Sequence, residues 1–303
     1  MINQLYTLRA LSPLHCGVGQ GANDIDLPTA RNKLSGHPLV PASSLKGVLK
    51  DGFKNKNSAE KWQDDCTALF GGDTGSEHAS AISIGDANML ALTVRSYFGT
   101  YAYLASPYTL LQIKTLYSRI QQPILLSIPP MGIDQDTQSY KVRVCKDSLL
   151  TQNERDWVLL EELDLSIDSD DADSWADFLA PMFFADAEGQ KIFKTRFAIV
   201  DDNALNFLCD TSLPVDARIA IDEDTGTVKK GALWYEETVP IESLFVGHIA
   251  INRSYFSKVK KTDEQLSQFL IEQSNITCQV GGKSTTGKGA VEISFVELGA
   301  SDD

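Results

Sequence analysis

The chain has 303 residues, 43% hydrophobic and 9% aromatic, enough to bury a sizeable core as one large domain with insertions or as two smaller ones. A charged fraction of 22% is ordinary for a globular protein and excludes a disordered, fibrous or disulfide-stapled chain. With 41 acidic residues against 27 Lys and Arg the net charge is −14, a total that by itself argues against a nucleic-acid partner.

Taken in chain order, residues 2–14 alternate loosely (Ile2, Leu5, Tyr6, Leu8, Leu11) and run into Pro13 and a Gly-bearing stretch, which predicts a strand entering a loop. Ser43 or Ser44 before Leu45, Val48 and Leu49 reads as a hydroxyl cap on a helix continuing to about Lys54. Residues 81–84 and 97–104 read as strands, and Ser106-Pro107 starts a helix over 108–120. Residues 124–133 are the most apolar window, but Ser127, Pro129 and Pro130 interrupt it far below the roughly 18 residues of a membrane span. The first 19 residues lack the basic start and apolar stretch of a signal peptide, and five cysteines without a C-x-x-C pair suit a reducing compartment. A cytoplasmic protein without membrane contact is expected. Further on, 218–221, 232–234 and 244–251 read as strands around a turn at Asp224-Thr225-Gly226, giving a projecting hairpin. A helix over 263–274 and strands over 276–280 and 290–296 close the chain. The order β, α, β, β, α, β with long excursions is compatible with a ferredoxin-like core.

Charge is distributed unevenly along these elements. Residues 161–188 hold ten acids and no base, whereas 31–56 hold six bases (Arg31, Lys33, Lys46, Lys50, Lys54, Lys56) and one acid, Asp51. The acidic run reads as a solvated surface insertion, or as a docking surface for a basic partner. The basic run is a local excess of positive charge that the total conceals, so the chain is electrostatically polarised.

Gly282-Lys283-Ser284-Thr285-Thr286-Gly287-Lys288-Gly289 matches a phosphate-binding P-loop except at its last position, where Gly289 replaces the metal-binding hydroxyl. The segment that follows alternates as a strand instead of opening a helix, so nucleotide hydrolysis is rejected. Two readings remain: a flexible hairpin loop, or a loop whose backbone N–H groups and lysines Lys283 and Lys288 approach nucleic-acid phosphates.

Several separated segments share one resemblance. Leu11-Ser12-Pro13-Leu14-His15-Cys16-Gly17-Val18-Gly19, Ile25-Asp26-Leu27-Pro28 and Pro41-Ala42-Ser43-Ser44-Leu45-Lys46-Gly47 resemble the RAMP superfamily of CRISPR proteins. Val94-Arg95-Ser96, Gly99-Thr100, Ser106-Pro107, the run from Arg218 to Val228 and Gly231-Ala232-Leu233-Trp234-Tyr235-Glu236-Glu237 are similar to the backbone subunit of its type III-B, or Cmr, effector complex. The type III-A counterpart shares the hairpin motif. The matched segments run from Leu11 to Gly289.

The resemblance implies an α+β chain forming one RAMP domain over residues 1–303: an RRM-like (ferredoxin-like) palm, helical insertions including the acidic 161–188, and an inserted thumb β-hairpin over 215–245. Copies of such a subunit stack along a guide CRISPR RNA, and the thumb displaces nucleotides of the guide–target duplex. Partners implied are the guide, a target single-stranded RNA, further copies of the chain and other subunits of the Cmr effector complex. Base pairing then reads sequence, and the protein needs only local basic grooves. Arg31, Ser43, Ser44, Lys46, Lys50, Arg218, Lys283 and Lys288 are the implied RNA contacts, with Lys46 near a helix start able to meet one guide phosphate.

Asp26 matches the family's catalytic aspartate. It is expected to hold Mg2+ or another divalent cation, or to accept the 2′-hydroxyl proton, in cleavage of target RNA at regular intervals; from its residue context alone it is a turn former. His15 matches a position associated with cleavage, where it orients or protonates the leaving oxygen; the alternative is a loop histidine making one hydrogen bond. Glu236 and Glu237 are expected to approach a neighbouring copy's Asp26 loop or to form a solvated pair. Asp24 is a second carboxylate able to mask an Asp26 substitution. A non-catalytic RNA-binding scaffold is the competing function.

Overall fold

The computed structural model describes residues 1–19, 25–72, 78–152 and 156–296, so Asp24 lies outside the described residues. The first part contains strand β1 (Ile2–Ala10), β2 (Leu39–Val40), helices α1 (Ala42–Lys56) and α2 (Glu60–Phe70), then β3 (Ile82–Ile84), β4 (Ala87–Arg95) and β5 (Tyr101–Ala105). The middle part holds α3 (Pro107–Arg119), β6 (Lys141–Val144), β7 (Trp157–Leu159), β8 (Asp164–Ser169), α4 (Asp173–Phe183), α5 (Ala187–Lys194), β9 (Phe197–Val200) and α6 (Asp202–Thr211). The last part is β10 (Val215–Ile221), β11 (Val228–Glu237), β12 (Leu244–Ile251), α7 (Asp263–Ile271), β13 (Ile276–Gln279) and β14 (Ala290–Phe295).

Twelve of the described strands form one mixed, mostly antiparallel sheet, ordered β13-β14-β1-β12-β4-β5-β9-β6-β8-β7, with β2 beside β4 and β3 beside β12. Within it β14, β1, β12 and β4 are consecutive and antiparallel. Alternation along β1 splits its side chains between two cores. Tyr6 and Leu8 face one layer with Leu45, Leu49 and Phe53 of α1 and Leu266 and Leu270 of α7. Leu5 faces the other, with Leu110 and Ile113 of α3 and Trp175 and Leu179 of α4. Each such fully buried side chain contributes about 1.5–3 kcal/mol, which is why α1 folds on the sheet although its sequence is polar on average.

Three expectations change. The start of α1 is capped by the carboxylate of Asp86, which accepts the Ala42 N–H at 2.8 Å, and Ser43 and Ser44 lie inside the first turn without capping it. Residues 97–100 form bends ahead of β5, with Gly99 and Thr100 both at positive φ. The acidic stretch 161–188 is no solvated insertion: it supplies β8 and α4, and buries Leu165, Trp175, Leu179 and Phe183. Its acids occupy the outer side, where Asp168 pairs with Lys141 and Arg143, Asp171 with Arg143 and Asp177 with Lys194.

Strands β10 and β11 leave this sheet and form a separate two-stranded sheet, register Arg218↔Trp234, with a bulge between Ile219 and Ile221. The hairpin projects, and Ile219, Ile221 and Leu233 are about half exposed at 49%, 51% and 54%. Asp222 fixes its tip by accepting the N–H groups of Asp224 and Thr225.

Candidate active site at the hairpin base

The end of β11 lies between two passing segments. On one side Leu14 and Val239 exchange backbone hydrogen bonds of 3.0 and 2.8 Å; on the other, Leu27 runs parallel to Glu236, donating to Tyr235 O and accepting from the Glu237 N–H, both at 3.0 Å. His15 and Asp26 are thereby brought to one strand end. The glycine-rich loop closes over the first segment, with Gly282 N–H donating to His15 O and Gly289 N–H to Pro13 O, each at 2.9 Å. Gly281 has φ +84°, and a Cβ there would stand 2.3 Å from His15 O, so both backbone angle and contact require glycine.

His15 is buried, and its Nδ1 lies 2.8 Å from the Glu237 carbonyl oxygen. A carbonyl only accepts, so Nδ1 carries the proton, and in the neutral ring Nε2 is left as the acceptor. A Cβ on Gly17 would come within 2.8 Å of Nε2; the glycine keeps that nitrogen's front open. Asp26 is exposed, and one of its oxygens accepts the Tyr235 N–H at 2.8 Å. Its other oxygen has no partner among the described residues.

Glu236 is 2% exposed and takes Lys283 Nζ at 2.7 Å, Lys288 Nζ at 3.4 Å, Arg218 Nε at 3.6 Å and the Trp234 indole N–H at 2.7 Å. Burial pushes its carboxyl up, but the hydrogen bonds from Lys283, Trp234 and Lys288 and the charge of Lys283 outweigh this and hold it at about 2. Asp216 stands directly across the strands from Glu236, a like-charge pair that the Lys288 ammonium bridges at 3.0 Å to Asp216. Glu237 accepts the Thr29 N–H at 3.0 Å and Arg31 Nη2 at 2.7 Å; Arg31 also donates to Cys209 O and Gly36 O, each at 2.9 Å.

Of the residues expected to act on RNA, His15, Asp26, Arg31, Arg218, Glu236, Glu237, Lys283 and Lys288 therefore meet at the hairpin base, while Ser43, Ser44, Lys46 and Lys50 lie on α1. The two glutamates lie beside Leu27 of their own chain and are buried under cations, so they are not a solvated pair. Lys288 is buried with its charge neutralised, and Arg31 is engaged by Glu237 and two carbonyls, so both hold the site together. Lys46 differs: half-buried, with no partner among the described residues, its ammonium is pushed to a lower pKa by burial and by Lys50. An anion would relieve both. Lys50 donates to Gly72 O at 3.1 Å.

Asp216, Thr29 and Trp234 were missed by sequence reasoning. Asp216 had a visible signal, since it alternates with Arg218 on a strand facing Glu236; Thr29 acts through its backbone and has none. Among the described residues no group of three or more His, Cys, Asp or Glu is arranged to hold a metal. A single exposed carboxylate fits a magnesium ion that keeps its waters and is shared with substrate phosphates.

The family model of the RAMP superfamily matches residues 7–292. The chain belongs to the RAMP superfamily. Among members with a described function, it is 30% identical over 299 residues to the CRISPR system Cmr endoribonuclease Cmr4 of Pyrococcus furiosus, covering 97% of this chain and 96% of that protein. The structure of oligomeric Cmr4 from Pyrococcus furiosus superposes with a TM-score of 0.73 at 25% identity, covering 98% of this chain and 99% of that one. A chain of the type III-B Cmr-beta complex bound to cognate target RNA gives 0.72 at 21% identity over 97% of both and shares the fold. Like these, the RAMP chain described here combines helices with a large, mostly antiparallel sheet. None of its described helices is long and apolar enough to cross a membrane.

Proposed function

We propose that this RAMP protein is the backbone subunit of a type III-B CRISPR effector complex and the endoribonuclease that cuts target RNA within it. The observation that carries this reading is the convergence of His15, whose Nδ1 is engaged by the Glu237 carbonyl so that Nε2 is the ring nitrogen left for substrate, and exposed Asp26 on the last residues of one projecting hairpin. The consecutive order β14-β1-β12-β4, joined by α1–α2 and by α7, supports a ferredoxin-like palm from which the hairpin extends as a thumb. Because α3 and α4 cover the second sheet face, RNA does not stack on an open sheet; it follows α1, where Lys46 takes a guide phosphate, and the hairpin. Copies of the chain then line the guide, and guide pairing selects the target.

In cleavage, the 2′-oxygen of a nucleotide unstacked by the thumb attacks the adjacent phosphorus in line as the bond to the 5′-oxygen breaks, leaving a 2′,3′-cyclic phosphate and a 5′-oxygen that takes its proton from water. His15 Nε2 takes the 2′-hydroxyl proton, its ring held in the required tautomer by Glu237 O. Asp26 would hold a divalent cation, which when bound stabilises charge on the phosphoryl oxygens. Glu237 is a positioning residue for both, through its carbonyl to His15 and its carboxylate to Thr29 and Arg31.

The test assembles the complex with guide RNA and follows a matched target in magnesium. Wild type cuts at regular intervals; Asp26→Asn and His15→Ala bind target equally but do not cut, and a variant with both Asp24 and Asp26 changed to Asn settles any substitution by the neighbouring carboxylate. Uncut target with wild type, despite tight binding, would make the chain a scaffold.

A further inference from the structure

The loop joining β12 to α7, residues 252–262, carries Arg253, Lys258, Lys260 and Lys261 and no acid. On a chain of net charge −14 this is a local reversal of sign that the site described above does not use. Its shape is fixed from within and below. Lys261 pairs with Asp65 of α2 at 2.8 Å, Ser254 N–H donates to Lys261 O and Val259 N–H to Phe256 O, both at 3.0 Å. Phe256 stacks on His78 with ring centroids 4.6 Å apart and planes 20° from parallel. Above this anchor Tyr255 is 46% exposed, between exposed Arg253 and Lys258 in sequence. Arg253, Lys258 and Lys260 have no ion-pair partner among the described residues. Arg253, Tyr255, Phe256 and Lys260 line a cleft of about 630 Å³ together with Asp263, whose carboxylate is taken by the Met1 ammonium at 2.6 Å. Glu60 and Asp64 of α2 border Lys258 and Lys260 on the other side, which leaves the Tyr255 side as the one open to an anion.

An exposed aromatic ring on an anchored loop, flanked by cations without carboxylate partners among the described residues (Lys258 stands over the Phe256 ring at 5.9 Å), is the chemistry that binds single-stranded nucleic acid: the ring stacks on a base and the cations meet successive phosphates. Opposite acids on a second copy are the competing occupant. Asp168, Asp171 and Asp177 of the acidic stretch are paired within their own chain, and although Glu161, Glu162 and Asp170 stand exposed, carboxylates have no use for an exposed ring. Ile251 pairs with Ile2 at the far end of the β1–β12 ladder, so the loop lies roughly 25 Å from the His15 segment along the strands.

We propose that residues 253–260 form a second contact for single-stranded RNA, with Tyr255 stacking on a base and Arg253, Lys258 and Lys260 on phosphates. The proposal rests on the RNA-binding reading above and extends it to the opposite end of the sheet.

The test measures binding of a labelled oligouridine to the full chain across a series of salt concentrations. Replacing Arg253, Lys258 and Lys260 together by Ala lowers the slope of log affinity against log salt by about 2, at ~0.7 per cation for a single strand. Tyr255→Ala weakens binding about tenfold with the slope unchanged, and Tyr255→Phe restores it. All four positions are exposed, and an unchanged unfolding curve checks that the variants are folded. In the assembled complex, 4-thiouridine placed in guide or in target crosslinks to the loop from whichever strand it holds; crosslinking from neither overturns the proposal. If Lys46→Ala lowers the slope and the triple variant does not, the loop is no RNA contact while α1 still is. Loss of self-association at unchanged RNA affinity assigns the loop to a second copy and overturns it as well. Absence of RNA binding by wild type removes the underlying reading itself.

Discussion

Replacing Glu236 by Gln removes the negative charge on which Lys283, Lys288 and Arg218 converge at 2.7, 3.4 and 3.6 Å. The carboxyl is held at about 2 against an ordinary value of 4.5, so its ionised form stabilises the folded chain by about 3 kcal/mol at neutral pH. For a chain of this length the loss lowers Tm by about 5 °C. The pH dependence gives the sharper test. A carboxyl whose folded value is depressed contributes fully above its unfolded value and loses the contribution as pH falls through the folded one. The difference between wild type and Glu236→Gln is therefore full at pH 7, shrinks below pH 4.5, and is roughly 1 kcal/mol at pH 3. Urea unfolding at a series of pH values, followed by tryptophan fluorescence, measures it. A difference that stays constant from pH 7 to pH 3 would refute the assignment of the depressed carboxyl to Glu236.

Gly17→Ala introduces no backbone strain, yet its Cβ meets His15 Nε2 at 2.8 Å; target cleavage should fall sharply while target affinity and Tm stay near wild type, and undiminished cutting would show that Nε2 is not used. Gly281→Ala is expected to destabilise by about 2 kcal/mol or more, from the left-handed backbone and the contact with His15 O, and to shift the His15 ring resonances in NMR. Lys46→Ala should weaken guide-RNA binding and reduce its salt slope by about 0.7, read by fluorescence anisotropy, whereas Arg31→Ala should lower Tm, since Arg31 is engaged within the fold.

Part of this organisation is legible in the residues themselves. Strand β12, helix α3 with its Ser106-Pro107 start, and the closing strands were predicted within a residue or two, because each has a clear period or a local cap. Strand β4 was missed. Buried on both faces from Met89 to Val94, it shows an apolar run without alternation. The acidic stretch misled for a related reason: ten charges hide the apolar stripe of α4, and only tertiary packing shows Trp175, Leu179 and Phe183 turned inward.

The site divides along the same line. His15 and Asp26 were legible as a pair only through the motifs around them, since they lie eleven residues apart with nothing local to join them. What the sequence determined by itself was the inventory: a local basic run on an acidic chain, a hairpin, two glutamates after it and a glycine-rich loop. Which of those charges stay open to a ligand and which neutralise one another was decided by tertiary structure alone. Lys288 and Lys46 are chemically the same side chain. One is buried against Glu236 and Asp216 and the other stands on α1 without a partner among the described residues, because desolvation and pairing depend on what the fold brings within a few ångströms.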